Sequence, residues 1–239
     1  MIGIIPAAGK ANRLENKCKT LIKVGGKPII EYIIQNMLPL VNKIIIIQHG
    51  NEVQRAIGDD YLNIPIIYVQ QKRRKGIAHA IYQCKREVKE DMIIILGDII
   101  YTGSDLISMK KYFEENKLDF VFGVKSVEDK NLIIRSYGVL DERTKDTTIE
   151  DMKPMKVWEK PNQMMLENML PVLGLGVYMA TPKLFDYIRN TQPNERTGEI
   201  EFTDTINVVP FSKSDMKSLE GFYANVNTKE DLKRCEEFI

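Results

Sequence analysis

Ile2-Gly-Ile-Ile-Pro-Ala-Ala-Gly-Lys-Ala-Asn-Arg-Leu14, followed three residues later by Cys18-Lys-Thr-Leu-Ile-Lys-Val-Gly-Gly-Lys-Pro28, joins a short apolar run to a cationic loop of small residues. The run Ile2 to Ile5 has the length and branching of a buried parallel strand, and Pro6-Ala7-Ala8-Gly9 ends it with side chains too small to block a ligand. From Lys10 to Lys27 there are six Lys or Arg against the single Glu15, so about five net positive charges follow directly on the bare turn. A charge run alone is an ordinary solvated loop; after a strand and a small-residue turn it becomes a place for a polyanion. The spacing fits neither a P-loop nor the Gly-x-Gly-x-x-Gly of dinucleotide folds.

Working outward, strands are expected at 2–6, 43–47, 65–69, 92–96 and 119–124, with helical patterns near 28–39, 51–58, 76–88 and 104–116. Strands alternating with helices imply an α/β fold: a Rossmann-like, mostly parallel sheet flanked by helices. After residue 124 the pattern changes. Gly138 to Leu140, Met155 to Glu159 and Leu173 to Met179 look like antiparallel additions. Thr181 to Ile188 and Glu201 to Ile206 look helical, and Gly221 to Val226 looks like a last strand before a helix capped by Thr228, with Glu230 and Asp231 in its first turn. No repeat or linker divides the chain, so residues 1–239 are expected to form one domain, with a nucleotide-binding part over 1–124 and an acceptor-binding part over 125–239.

The 239 residues are 44% hydrophobic and 28% charged, enough for a substantial core. A formal net charge of +1 gives no general attraction to nucleic acid or anionic membrane, so the local cationic loop is expected to serve a small ligand. Cys18, Cys84 and Cys235 are odd in number and widely spaced, which fits neither a disulfide framework nor a zinc site. No apolar stretch approaches eighteen residues and no leader pattern opens the chain. A soluble, cytoplasmic protein is expected, possible as an oligomer.

Three further places carry chemistry. Gly97-Asp98 follows the apolar run 92–96, at the carboxyl end where open α/β sheets bind ligands. A carboxylate there suits Mg²⁺ beside phosphate oxygens, although Asp is also a common turn residue. Gln71 lies five residues before Gly76, and its amide offers both a donor and an acceptor. Glu159-Lys160-Pro161 pairs an acceptor-only carboxylate with a point positive charge. Lys72 to Lys75 read as a solvated loop tip. His79 reads as packing on its helix, and His49 shows no partner pattern.

Taken in order, these segments resemble the sugar-phosphate nucleotidyltransferases, the pyrophosphorylases that make nucleotide sugars and whose members have the nucleotide-diphospho-sugar transferase fold. The likeness is carried by Ala7-Ala8-Gly9, Arg13-Leu14, Lys19, Leu21-Ile22, Val24 and Lys27-Pro28, then by the Gln71 to Gly76 segment, Gly97-Asp98, Tyr137-Gly138, Glu159-Lys160-Pro161, Gly174-Leu175-Gly176-Val177-Tyr178 and Gly198 to Thr205. It implies that Ala7, Ala8 and Gly9 form the triphosphate turn, that Arg13 and Lys19 contact the phosphates, and that Gln71 and the Gly76 backbone read a pyrimidine. It further implies that Tyr137, Gly138, Glu159 and Gly176 bind the sugar, that Lys160 grips the sugar phosphate, and that Asp98 binds Mg²⁺.

The chain departs from the family pattern in three places. Ala11 stands for the second loop glycine and Cys18 for the proline before the lysine. Asn225 stands at the second metal-binding aspartate of the thymidylyl enzymes, whereas an asparagine serves in the N-acetylglucosamine 1-phosphate uridylyl enzymes at the position of Asn227. The resemblance thus implies either Asn225 or Asn227 as the second metal ligand. Neither the hexapeptide repeats nor the helical tail of some members is present, and a catalytic core alone is expected. The resemblance implies an enzyme that joins an NTP, UTP or dTTP, to a sugar 1-phosphate. The alternatives are a cytidylyltransferase acting on a non-sugar phosphate and a catalytically silent nucleotide-binding regulator.

Overall fold

The computed structural model describes residues 1–9, 18–140 and 156–238. An eight-stranded sheet forms its centre, in the order β13-β9-β12-β7-β1-β4-β6-β5. Its members are β1 (Ile2–Pro6), β4 (Lys43–Gln48), β5 (Asp60–Tyr61), β6 (Ile64–Gln70), β7 (Met92–Ile95), β9 (Phe120–Ser126), β12 (Val172–Ala180) and β13 (Ser214–Ser218). Smaller antiparallel pairs join β2 (Lys23–Val24) to β3 (Lys27–Pro28), β8 (Ile99–Thr102) to β14 (Phe222–Asn225), and β10 (Tyr137–Leu140) to β11 (Lys156–Glu159). The helices are α1 (Ile29–Met37), α2 (Glu52–Ile57), α3 (Ile77–Tyr82), α4 (Leu106–Glu115), α5 (Leu184–Asn190), α6 (Phe202–Ile206) and α7 (Lys229–Phe238).

The central strands are apolar throughout because both faces of the sheet are covered. Alternate residues feed two cores. Ile5, Ile44, Ile46, Ile93, Ile95, Val177 and Met179 pack with α1 and α4 on one face. Ile2, Ile4, Ile45, Ile47, Met92, Ile94, Tyr178 and Ala180 pack with α3, α5 and α6 on the other.

Strand β1 pairs in parallel with β4 on one side and β7 on the other. The chain moves outward from β1 through β4 to β6, then returns past β1 to β7, so the direction of winding reverses between β1 and β7. Such a reversal opens a crevice at the carboxyl ends of the two strands.

All five expected strands of the first half are present. Leu173 to Met179 is antiparallel as expected, but β12 enters the main sheet between β7 and β9 instead of lying outside it. The helix expected over 76–88 ends at Tyr82, because the amides of Gln83, Cys84 and Lys85 bond three residues back and tighten the chain into turns. Helix α5 begins at Leu184, after Thr181 and Pro182, and not at Thr181. The short strands β2, β3, β5 and β8 and the edge strand β13 had no signal. Ser214-Asp-Met-Lys-Ser218 is too polar to show a buried face, and its pairing with β9 decides its conformation.

Candidate active site

A cleft of about 910 Å³ opens at the winding reversal, within the size of ordinary small-molecule sites. Its floor is the turn after β1, Pro6 to Gly9, beside the turn after β7, Leu96 to Ile99. The two turns are in contact: Gly97 N donates to Pro6 O at 3.2 Å. A β-carbon on Gly97 would lie 2.6 Å from Pro6 O and 2.7 Å from Thr20 Cγ2, so only glycine lets them close. Ala7, Ala8 and Gly9 line the cleft. Lys10, Ala11, Arg13 and Leu14 lie outside the described residues.

Lys19, in a short 3₁₀ turn, Lys19–Leu21, lines the cleft. Its Nζ donates to Asp98 Oδ2 and to Asn227 Oδ1, each at 2.5 Å. Asn227 Nδ2 donates to Asn225 Oδ1 at 2.7 Å. One ammonium thus gathers the carboxylate and one of the two amides, and the second amide is tied to the first. Residues 79 and 208 positions from Lys19 in sequence meet at its tip. The backbone of Asn227 is fixed in turn by α7: Asp231 Oδ2 accepts from the amides of Asn227 and Thr228 at 2.9 and 2.8 Å, and Thr228 Oγ1 accepts from Asp231 N at 3.2 Å. This reciprocal cap is the one expected at Thr228.

Gln71 and Gly76 line the cleft. Gln71 is buried and its Nε2 donates to Gly76 O at 3.1 Å. Gly76 has φ +96°, and a β-carbon there would lie 2.4 Å from Ile200 O, so the position requires glycine both for its backbone and for the close approach of the 199–201 segment.

Glu159 and Lys160, Tyr137, Gly176, Tyr178 and Tyr223 line it as well. Tyr137 is opposite Glu159 in the β10–β11 register. Burial holds the hydroxyls of all three tyrosines in their neutral form, well above the usual range. Burial also raises the Glu159 carboxyl above its ordinary value, an effect opposed by Lys160 and reinforced by Glu201. Lys160 adopts φ +46°, a left-handed conformation uncommon outside glycine. Its amide bonds Ser136 O at 2.7 Å, while its side chain stays 61% exposed, its Nζ 3.6 Å from Glu159.

Gly138 is not among the cleft residues; a side chain there would strike Ile133 and Met169, so its role is to close the small core behind β10. The other expected site residues within the described range all face the one cleft. Four further features carried no usable signal. Arg74, expected on a solvated tip, donates from Nε to Ala8 O at 2.6 Å and ties the 72–75 loop to the floor. His79 Nδ1 lies 3.1 Å from Gln71 Nε2, and His49 Nδ1 lies 3.0 Å from Gln71 O, so both histidines attend the same glutamine. Thr203 Oγ1 is buried in the wall without a partner among the described residues.

The thiols of Cys84 and Cys235 are buried and pushed up to about 12 and about 11, which keeps them protonated, and all three cysteines are free. Among the described residues no three acidic, histidine or cysteine side chains cluster as a metal site, and no helix is long and apolar enough to cross a membrane.

Residues 2–219 match the pattern of the family described as nucleotidyl transferase. The chain belongs to that family. It is 28% identical to the UTP–glucose-1-phosphate uridylyltransferase AglF of Haloferax volcanii over 99% of this chain and 96% of that one. It is 29% identical to the bifunctional protein GlmU of Methanococcus vannielii, covering 97% of this chain but 53% of the relative, so it spans about half the length of that protein. A UDP-glucose pyrophosphorylase solved with UDP-glucose has the same fold, with a TM-score of 0.80 at 20% identity over 99% of this chain and 97% of that one. The expected fold class and family both stand, and the cleft at the β1–β7 reversal belongs to a nucleotidyl transferase fold.

Proposed function

We propose that this nucleotidyl transferase joins UTP or dTTP to a sugar 1-phosphate, forming an NDP-sugar and pyrophosphate. What supports the proposal is that the residues expected to read the base (Gln71 and Gly76), to contact phosphate (Lys19 and Lys160) and to accept from sugar hydroxyls (Glu159) all line one cleft. The name of the AglF relative, a UTP–glucose-1-phosphate uridylyltransferase, is consistent with it. A phosphate oxygen of the acceptor attacks the α-phosphorus while the bond from that phosphorus to the departing pyrophosphate breaks. The attacker is already an anion, so no protein nucleophile is needed. The protein's task is to align two mutually repelling phosphates and to neutralise their charge.

In this reading the turn Ala7 to Gly9 lets the triphosphate approach the backbone, with Arg13 assigned to its phosphates. Lys19 turns from its partners to the α-phosphate, Lys160 holds the acceptor phosphate, and Glu159 accepts from sugar hydroxyls. Asp98, with Asn225 or Asn227, would hold Mg²⁺: the carboxylate of Asp98 and the amide oxygen of Asn227 both accept from Lys19 Nζ, and hard oxygen donors of this kind suit an ion that also binds phosphates. When bound, Mg²⁺ supplies further charge neutralisation for the triphosphate.

The test is pyrophosphate release with each common NTP and dTTP against a panel of sugar 1-phosphates, phosphocholine and polyol phosphates. Turnover confined to UTP or dTTP with a sugar 1-phosphate is expected. Preference for CTP with a non-sugar phosphate, or tight nucleotide binding without turnover across the panel, would overturn the proposal.

A further inference from the structure

The side-chain amide of Gln71 cannot choose its orientation freely. Its nitrogen lies 3.1 Å from Gly76 O and 3.1 Å from His79 Nδ1. A carbonyl only accepts, so the atom facing Gly76 must be the nitrogen, and the amide's two hydrogens are directed to Gly76 O and to the His79 ring. His79 can receive the second hydrogen only with Nδ1 bare, which places its own proton on Nε2. The Gln83 amide nitrogen near Nε2 is exposed and 3.4 Å away, where it donates to His79 O instead, so the buried contact decides the tautomer. Burial, with the positive field of Lys75, favours the neutral ring. His79 itself is not part of the cleft wall, and no described residue bonds Gln71 Oε1.

We propose that His79 is a positioning residue that sets the base specificity of the site: by taking the second amide hydrogen of Gln71 it fixes Oε1 toward the cleft as an obligate acceptor, and so selects a pyrimidine with N3–H, uracil or thymine, over cytosine. The inference rests on the assignment of Gln71 to the base. A glutamine free to rotate would serve cytosine as readily, because its amide can offer either a donor or an acceptor. Held as it is, it meets the N3–H of uracil or thymine with an oxygen, and meets the unprotonated N3 of cytosine with that same oxygen. Rejection of purines is a separate matter of size.

The experiment compares wild type, His79→Leu and His79→Asn for kcat and KM with UTP, dTTP and CTP and one working sugar 1-phosphate. Asparagine places an acceptor oxygen close to the position of Nδ1, whereas leucine fills the space without one. In His79→Leu the KM for UTP is expected to rise about tenfold and the UTP over CTP preference to fall by a similar factor, as follows from leaving one buried amide hydrogen unpaired. The kcat at saturating UTP and the KM for the sugar 1-phosphate should stay within about twofold, and His79→Asn should recover most of the preference.

A wild type that prefers UTP or dTTP, together with an unchanged ratio in His79→Leu, overturns the inference and leaves the function standing. A leucine variant that loses kcat and both KM values alike, or an asparagine variant that rescues nothing, reduces His79 to packing. A wild type that prefers CTP defeats the base assignment and the inference together. Nitrogen-15 NMR of the His79 ring in the wild-type protein tests the same point without any variant: the Nε2–H tautomer is expected, and an Nδ1–H ring would overturn the proposal.

Discussion

At the floor of the cleft a single ammonium holds the far-separated parts of the site together. The Lys19 side chain, only 14% exposed, is bonded through Nζ to Asp98 and Asn227, and Asp98 sits at the edge of a turn, 26% exposed, outside the packed core. Asp98→Ala is therefore expected to abolish Mg²⁺-dependent turnover while the chain stays folded, with Lys19 keeping Asn227 as a partner. Circular dichroism alongside pyrophosphate release checks this, and substantial Mg²⁺-dependent activity in a folded variant would remove Asp98 from the site. Glu159 gives a pH signature. Its carboxyl is raised above the ordinary 4.5 chiefly by burial, so the folded state binds a proton that the unfolded chain has released. The cost is absent below 4.5, grows as pH rises toward the raised value, and is full above it. Glu159→Gln is expected to flatten that decline in a melting-temperature series from pH 4 to 8, while weakening use of the sugar 1-phosphate. A wild-type stability that rises with pH over this window, with no difference in Glu159→Gln, would contradict the assignment.

Among the elements, α7 acts on the site through its first turn. The reciprocal bonds of Thr228 and Asp231 hold the backbone of Asn227, whose side chain reaches Lys19. Thr228→Ala removes one side of the cap and is expected to cost about 1 kcal/mol of stability in urea unfolding. Because the cap also sets the entry to Asn227, the same variant should bind Mn²⁺ together with UTP several-fold more weakly, measured by electron paramagnetic resonance. Loss of stability without loss of metal binding would separate the helix from the site. Strand β10 works differently: Tyr137 enters the cleft because Gly138, next to it, turns the opposite face of the strand onto Ile133 and Met169.

At the scale of the whole molecule, the cleft exists because two helical layers leave the carboxyl ends of β1 and β7 uncovered where the winding reverses. Its walls come from the turns after β1 and β7, from α3 and α6, and from the segment joining β14 to α7. A ligand seated there contacts elements from both parts of the chain and binds only when they are assembled. UTP with Mg²⁺ at about 100 times its dissociation constant is expected to add about 2.7 kcal/mol of stability. Differential scanning fluorimetry should show the melting temperature rising with UTP and Mg²⁺ together, less with UTP alone. By contrast, Ile94→Ala, in a strand residue with no exposure, is expected to cost about 2 to 5 kcal/mol and lower the melting temperature with and without ligand alike.

Local sequence alone set the strands β1, β4, β6, β7 and β9 of the central sheet and the position of the floor, while β5 and β13 carried no signal in it. Both follow from local chemistry: apolar, branched runs bounded by small or polar turns have one stable use, as strands covered on both faces, and a ligand crevice opens where they end. Lys19, Gln71, Asp98, Glu159 and Lys160, singled out through the family resemblance, line the one cleft. Tertiary structure alone decided which atoms meet. The junction of Lys19 with Asp98 and Asn227 joins positions separated by 79 and 208 residues, Arg74 reaches Ala8 across 66, and the placement of β12 inside the sheet depends on pairing with both β7 and β9. The orientation of the Gln71 amide is of the same kind. A glutamine in a sequence is both donor and acceptor, and only the carbonyl of Gly76 and the ring of His79, brought to 3.1 Å by the fold, leave it one face to offer.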